Sequence, residues 1–125
     1  MRSCFAILCI LLCSGPTRAD DLLVIKDSEA IQYVGRRVEV WGFVVSVTSS
    51  PLGTSFINFE REYPNQIFAG FIAAGSKVAE DQRLTMLQGK VIGISGTIEI
   101  VEGRPEIKIM SADQIKGGPS PVEAK

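Results

Sequence analysis

The sequence contains no histidine, and its three cysteines, Cys4, Cys9 and Cys13, all lie in the first stretch of the chain. Beyond that stretch there is no imidazole to move a proton and no thiolate to attack a substrate. The side chains that usually hold zinc or copper are missing as well. No Gly-Lys-Ser/Thr phosphate loop and no dinucleotide-binding glycine pattern is present, so no cofactor is expected. Carboxylate pairs such as Asp20/Asp21 and Glu60/Glu62 exist, but nothing in their placement converges on a buried cleft, and they read as solvated surface. These absences argue against an enzyme. Basic residues are not in excess either: 13 Lys and Arg stand against 14 Asp and Glu. That balance lacks the strongly basic footprint of a non-specific nucleic-acid binder.

The N-terminus has the makeup of a secretory signal peptide. Arg2 supplies a short basic region, Cys4 to Cys13 is apolar, and Thr17-Arg18-Ala19 places small residues at a cleavage position. The apolar run is too short to span a bilayer. Residues 1–19 are therefore expected to be removed, leaving a mature chain that starts at Asp20 in the periplasm or outside the cell. Lipidation at Cys13 is the alternative, disfavoured by the large Leu12 where a small residue is wanted. Cleavage removes all three cysteines, so no disulfide is expected, and packing alone must hold the domain. It also removes Arg2 and Arg18, leaving 11 basic residues against 14 acidic, a net of −3. No later run is long and apolar enough to cross a membrane, and the mature chain is expected to be soluble.

Two segments dominate what remains. Gly35-Arg36-Arg37-Val38-Glu39-Val40-Trp41-Gly42-Phe43-Val44 is echoed by Gly89-Lys90-Val91-Ile92-Gly93-Ile94-Ser95-Gly96-Thr97-Ile98. Both alternate with period two and carry a central glycine, the pattern of a long strand that bends. Around them the composition predicts a lead-in at Leu22–Ile25 and a short helix over Asp27–Gly35. Ser28 would cap that helix, with Ala30, Ile31 and Val34 facing inward. Further strands are expected over Thr54–Glu60 and Gln66–Ala74, then a helix over Ser76–Leu87 with Val78, Ala79, Leu84, Met86 and Leu87 on its inner face. After the echo strand, Glu102–Pro105 reads as a tight connection and Glu106–Met110 as the last strand. Ser111–Ile115 ends the fold with at most one helical turn. Three strands, a helix and two strands is the order of a five-stranded Greek-key OB-fold barrel, an all-β class. The domain is placed at 20–116 and a flexible tail at 117–125.

A resemblance follows from particular motifs. Tyr33-Val34-Gly35 leads into the first strand, and Phe56-Ile57-Asn58-Phe59 precedes Tyr63-Pro64-Asn65-Gln66. Gly89-Lys90 opens the fourth strand, and Gly103-Arg104-Pro105-Glu106-Ile107 precedes Gln114-Ile115. Together they resemble small bacterial OB-fold domains of the tRNA-anticodon type, across Asp27 to Ile115. That resemblance implies nucleic-acid or nucleotide binding. Exported stress-associated OB-fold proteins are similar in architecture but less so in these motifs.

On such barrels ligands lie across the second and third strands, with bases stacked on aromatic rings and basic side chains along the phosphates. With Val38 and Val40 inward, Trp41 falls outside; with Ile57, Phe59, Phe68 and Ile72 inward, Phe56, Asn58 and Phe71 fall outside. The candidate ligand residues are Trp41, Phe56, Asn58, Arg61, Tyr63, Phe71, Arg104 and Lys108. Arg36, Arg37 and Lys90 at the strand starts form either a small basic rim or merely solvated strand ends. Two readings of the aromatic face stay open at this point: a stacking platform, or a second small core covered by the lead-in and the first helix. The expected partner is single-stranded nucleic acid. The alternative is a cell-envelope module for a protein, peptide or small molecule, or a stress-protective periplasmic protein.

Overall fold

The two echo segments become the longest strands of the computed structural model, which describes residues 22–117. The expected signal peptide and nearly all of the expected tail lie outside the described residues. In chain order the strands are β1 (Leu23–Lys26), β2 (Arg37–Ser49), β3 (Ser55–Phe59), β4 (Phe68–Ile72), β5 (Val91–Val101), β6 (Arg104–Lys108) and β7 (Ile115–Lys116). Five of them close a ring in the order β2, β3, β4, β6, β5 and back to β2. This is the OB-fold barrel that the element order predicts.

The bent strands do what their glycines allow. β2 pairs with β5 from Arg37 to Phe43, then turns to β3 from Val44 onward. β5 pairs with β2 up to Thr97, then with β6 from Ile98 onward. Each hand-over comes two residues after the central glycine, Gly42 or Gly96. The echo is a two-fold relation in space as well: Val38 lies opposite Gly96, and Ile92 opposite Gly42. Each opening glycine closes the far end of the other strand. Gly35 N–H donates to the Ile98 carbonyl at 2.7 Å, and Gly89 N–H to the Val44 carbonyl at 2.8 Å. Both opening glycines have left-handed φ, 86° and 83°, which a residue without Cβ adopts at little cost.

Inside the ring sit Val38, Val40 and Val44, Ile57 and Phe59, Phe68 and Ile72, Ile92, Ile94 and Ile98, and Ile107 and Ile109, all essentially inaccessible. Phe59 and Phe68 meet edge to face with centroids 5.0 Å apart, a favoured aromatic geometry. β1 adds parallel to β2, and β7 adds antiparallel to β5. Pro105 was expected in a connection but belongs to β6, opposite Ile100. Its ring is buried.

Both expected helices differ from expectation in the same way: they are 3₁₀ turns. The first spans Asp27–Tyr33, and the second region splits into Val78–Glu80 and Gln82–Leu87. With three residues per turn, the inward face of the first is Asp27, Ala30 and Tyr33. Ile31 and Val34 are accordingly exposed, at 51% and 42%. Ser28 does not cap this turn; instead the Glu29 carboxylate accepts from Lys26 N–H at 2.9 Å. In the second region Val78, Leu84 and Leu87 repeat at multiples of three and pack on the core, while Met86 is 61% exposed. Asp81 sits at the junction and caps the next turn by accepting from Arg83 N–H at 2.9 Å.

The first turn brings a carboxylate to the barrel. Asp27 is 7% exposed, and its Oδ2 occupies the place a side chain at Gly42 would need. Burial and the neighbouring Glu60 carboxyl push the Asp27 pKa from 3.8 up to about 7. The folded state thus holds this proton more tightly than the unfolded chain does. The resulting stabilisation is full below about pH 4 and disappears as pH rises toward 7. The melting temperature should therefore fall between pH 5 and pH 8, by ~10 °C. Asp27→Asn should flatten that slope in thermal melts monitored by circular dichroism; an unchanged slope would show that Asp27 is not its source.

Candidate functional site

Alternation along β3, β4 and β6 sends every second side chain outward, and the ladder registers line these up in rows. One row runs Thr48, Phe56, Phe71, Lys108, through the pairs Thr48–Phe56, Phe56–Phe71 and Phe71–Lys108. The neighbouring row runs Ser46, Asn58, Ala69, Glu106, Glu99. The Phe56 and Phe71 rings lie 5.6 Å apart at 58°, and Tyr63 from the following loop lies 5.7 Å from Phe56 at 35°. Phe56 and Phe71 are half-buried and Tyr63 is 50% exposed. The three rings are therefore contiguous, and each keeps part of its surface in solvent.

A polar network underneath fixes that surface. Asn58, fully buried, donates from Nδ2 to Ser46 Oγ at 3.1 Å and Thr48 Oγ1 at 3.2 Å. Ser46 Oγ donates to Glu62 Oε1 at 2.7 Å, which ties the loop carrying Arg61, Glu62 and Tyr63 down onto β2 and β3. Asn58 was expected as a ligand contact. With no exposed surface it cannot be one, and its work is to hold the loop.

Trp41 requires the larger correction. It does lie outside the barrel, but it is only 4% exposed. Its indole lies over Gly93, in space a side chain there would need. Indole Nε1–H donates to Glu39 Oε2, and Lys116 Nζ donates to Glu39 Oε1 at 3.0 Å. β7 extends the same sheet, paired with β5 at Gly93–Lys116 and Ile94–Ile115. Trp41 thus belongs to a small outer layer and is closed to a stacking ligand. Of the two readings left open for the aromatic face, a second core under the lead-in and first helix finds no support: the lead-in is β1, paired alongside β2, and the first turn brings Asp27 against Gly42. The buried part is the Trp41 side, next to β1 and β7, and the Phe56–Phe71 side stays open.

Among the charged candidates, Lys108 is exposed directly beside Phe71, and Arg61 is exposed on the Tyr63 loop. Arg104 is half-buried, and its Nη1 donates to the Glu102 carbonyl at 3.3 Å. Arg36 lies over the Tyr33 ring at 5.6 Å, whereas Arg37 shares a 340 Å³ hollow with Lys108 and Thr97. Arg37, opposite Thr97, thus brings a second cation near the outer row. On the other side of Lys108 a 270 Å³ hollow is lined by Phe56, Phe71, Glu99, Val101, Glu106 and Lys108. Alternation alone carries no signal for Glu106 in that hollow, since the parallel β4–β6 pairing that puts it there joins segments far apart in sequence.

The outer layer yields a measurable consequence. Glu39 is 7% exposed, so removing the Lys116 ammonium strands one of its oxygens in a dry setting. Lys116→Ala should destabilise the fold by about 1–3 kcal/mol. It should also shift the emission of Trp41, the sole tryptophan, to longer wavelength in steady-state fluorescence as β7 loosens. Unaltered emission and stability would count against the pinned layer.

The chain matches no protein-family model, and no curated protein matches its sequence. Solved structures do share its fold. A crystal structure described as an aspartyl-tRNA synthetase from Leishmania major Friedlin superposes over 89% of this chain with a TM-score of 0.53 at 14% identity. Aspartyl-tRNA synthetase from Entamoeba histolytica superposes over 85% with a TM-score of 0.51 at 15% identity. This chain spans only 23% and 24% of those two proteins, so the likeness is to one part of a much longer chain. At this identity it is the barrel architecture that is shared.

Proposed function

We propose that this protein is an exported, non-enzymatic OB-fold module that binds single-stranded nucleic acid or nucleotides by stacking bases on Phe56, Tyr63 and Phe71. The observation that carries the reading is the contiguity of those three rings, solvent-open, on the barrel face where such domains take their ligands. An open aromatic stripe of this kind on a small barrel is more than a sheet face ordinarily presents to water. Lys108 beside Phe71, Arg61 beside Tyr63 and Arg37 across the adjoining hollow are placed to meet phosphates. The structural likeness to part of two tRNA synthetases supports the same class of ligand. Export rests on the first 19 residues, and sequencing the N-terminus of the protein recovered from cells should give Asp20.

Binding to a labelled single-stranded oligonucleotide should be measurable by fluorescence anisotropy at low salt. With about three cations engaged, the logarithm of the association constant should fall against log salt with a slope near −2. Phe71→Ala should weaken binding about 5- to 100-fold, since each base–ring stack contributes ~1–3 kcal/mol. Trp41, only 4% exposed, should matter only through stability. Absence of binding at low salt would remove this reading.

A further inference from the structure

The hollow beside Phe71 holds a carboxylate that the stacking platform does not explain. Glu106 is only 8% exposed, lines that hollow, and has no hydrogen bond or ion pair among the described residues. Burial and the charges of Glu102 and Glu99 raise its pKa above the ordinary carboxylate range, and Arg104 offsets this only in part. The Glu106 carboxylate reaches the hollow with no protein donor, which leaves both oxygens free to accept from a ligand that offers N–H groups. Opposite Glu106 on β4 stands Ala69, which is buried and offers the carboxylate no polar partner. The space, 270 Å³, is slightly below the ~300–1,000 Å³ of pockets that enclose whole drug-sized molecules, and suits a single planar base.

Two residues along the same strand, on the same face, Lys108 lines the hollow too. β6 therefore presents an acceptor pair and a cationic donor side by side, flanking the stacking ring. Resting on the stacking function proposed above, we infer that this hollow selects guanine: its N1–H and N2–H donate to the two oxygens of Glu106, and its O6 accepts from Lys108. No other common base fits the same pattern. Cytosine and adenine each offer one amine next to a ring-nitrogen acceptor, which would face the second carboxylate oxygen. Thymine and uracil place a carbonyl on either side of their single N–H. Recognition of a stacked, unpaired base on its Watson–Crick edge is the usual route to sequence preference in single strands. A carboxylate supplies it through donors on the base, as it does for cytosine N4 in duplexes.

The test compares short oligothymidines that are identical except for one central base: thymine, guanine or hypoxanthine. Hypoxanthine keeps O6 and N1–H but lacks the N2 amine. Guanine should bind about tenfold tighter than thymine, with hypoxanthine in between. Glu106→Gln should reduce the guanine oligonucleotide toward the thymine one, with circular dichroism confirming that the variant is folded. The base series on the native protein does not depend on any variant folding. Equal binding of all three oligonucleotides would overturn guanine selection and leave stacking standing. A guanine advantage that persists in folded Glu106→Gln would overturn the role of Glu106. Failure of every oligonucleotide to bind at low salt would instead remove the stacking function, and the inference with it.

Discussion

The pairing of β2 with β5 is the constraint on which the rest depends. Without it the five strands are a curled open sheet with two long edges, and the apolar row of Val38, Val40, Ile92 and Ile94 has nothing to close against. The pairing works because each strand can leave it. After Gly42 and Gly96 the chains swing away to β3 and β6, and a side chain at either glycine would run into Asp27 and Phe59 or into Ile107. Closure and bending are therefore one requirement, met by two glycines in matching positions.

Closure also divides the outside of the barrel into unlike halves. On the β1–β2–β5–β7 side, the short terminal strands flank Trp41 and Glu39, and the ion pair with Lys116 leaves the carboxylate satisfied. On the β3–β4–β6 side the loop of Glu62 closes over Asn58, while Phe56, Tyr63 and Phe71 beside it keep part of their surface in solvent. Charge follows the same division of labour: the open face mixes Lys108 and Arg61 with Glu99 and Glu106, which favours discrimination among ligands over bulk attraction.

Much of this was legible in the chain. The glycine echo placed the long strands, and strict alternation assigned Ile57, Phe59, Phe68 and Ile72 inward and Phe56 and Phe71 outward. What was not legible depended on partners distant in sequence or on a period too short to resolve. Trp41 points outward as the alternation says, but its indole packs over Gly93 and bonds Glu39, which Lys116 holds from 77 residues away. Nothing near Trp41 announces that. Asn58 sits in an outward register too, yet Glu62 and Ser46 close over it. The helical segments failed differently: Val78, Leu84 and Leu87 fit a repeat of 3.0 about as well as 3.6, and only Met86, left exposed, separates the two.

The reciprocal closing bonds at the strand starts bear on how the molecule breathes. Gly35 and Gly89 sit in turn-like positions with exposed surroundings, where amide protons ordinarily trade with solvent through small local fluctuations. Here each is clamped to the far ladder, and the neighbouring bonds from Val44 N–H to the Lys90 carbonyl and from Ile98 N–H to the Arg36 carbonyl double the clamp. Freeing either proton means parting the seam of the barrel, so in deuterium oxide these two glycines belong with the slowest amides of the core.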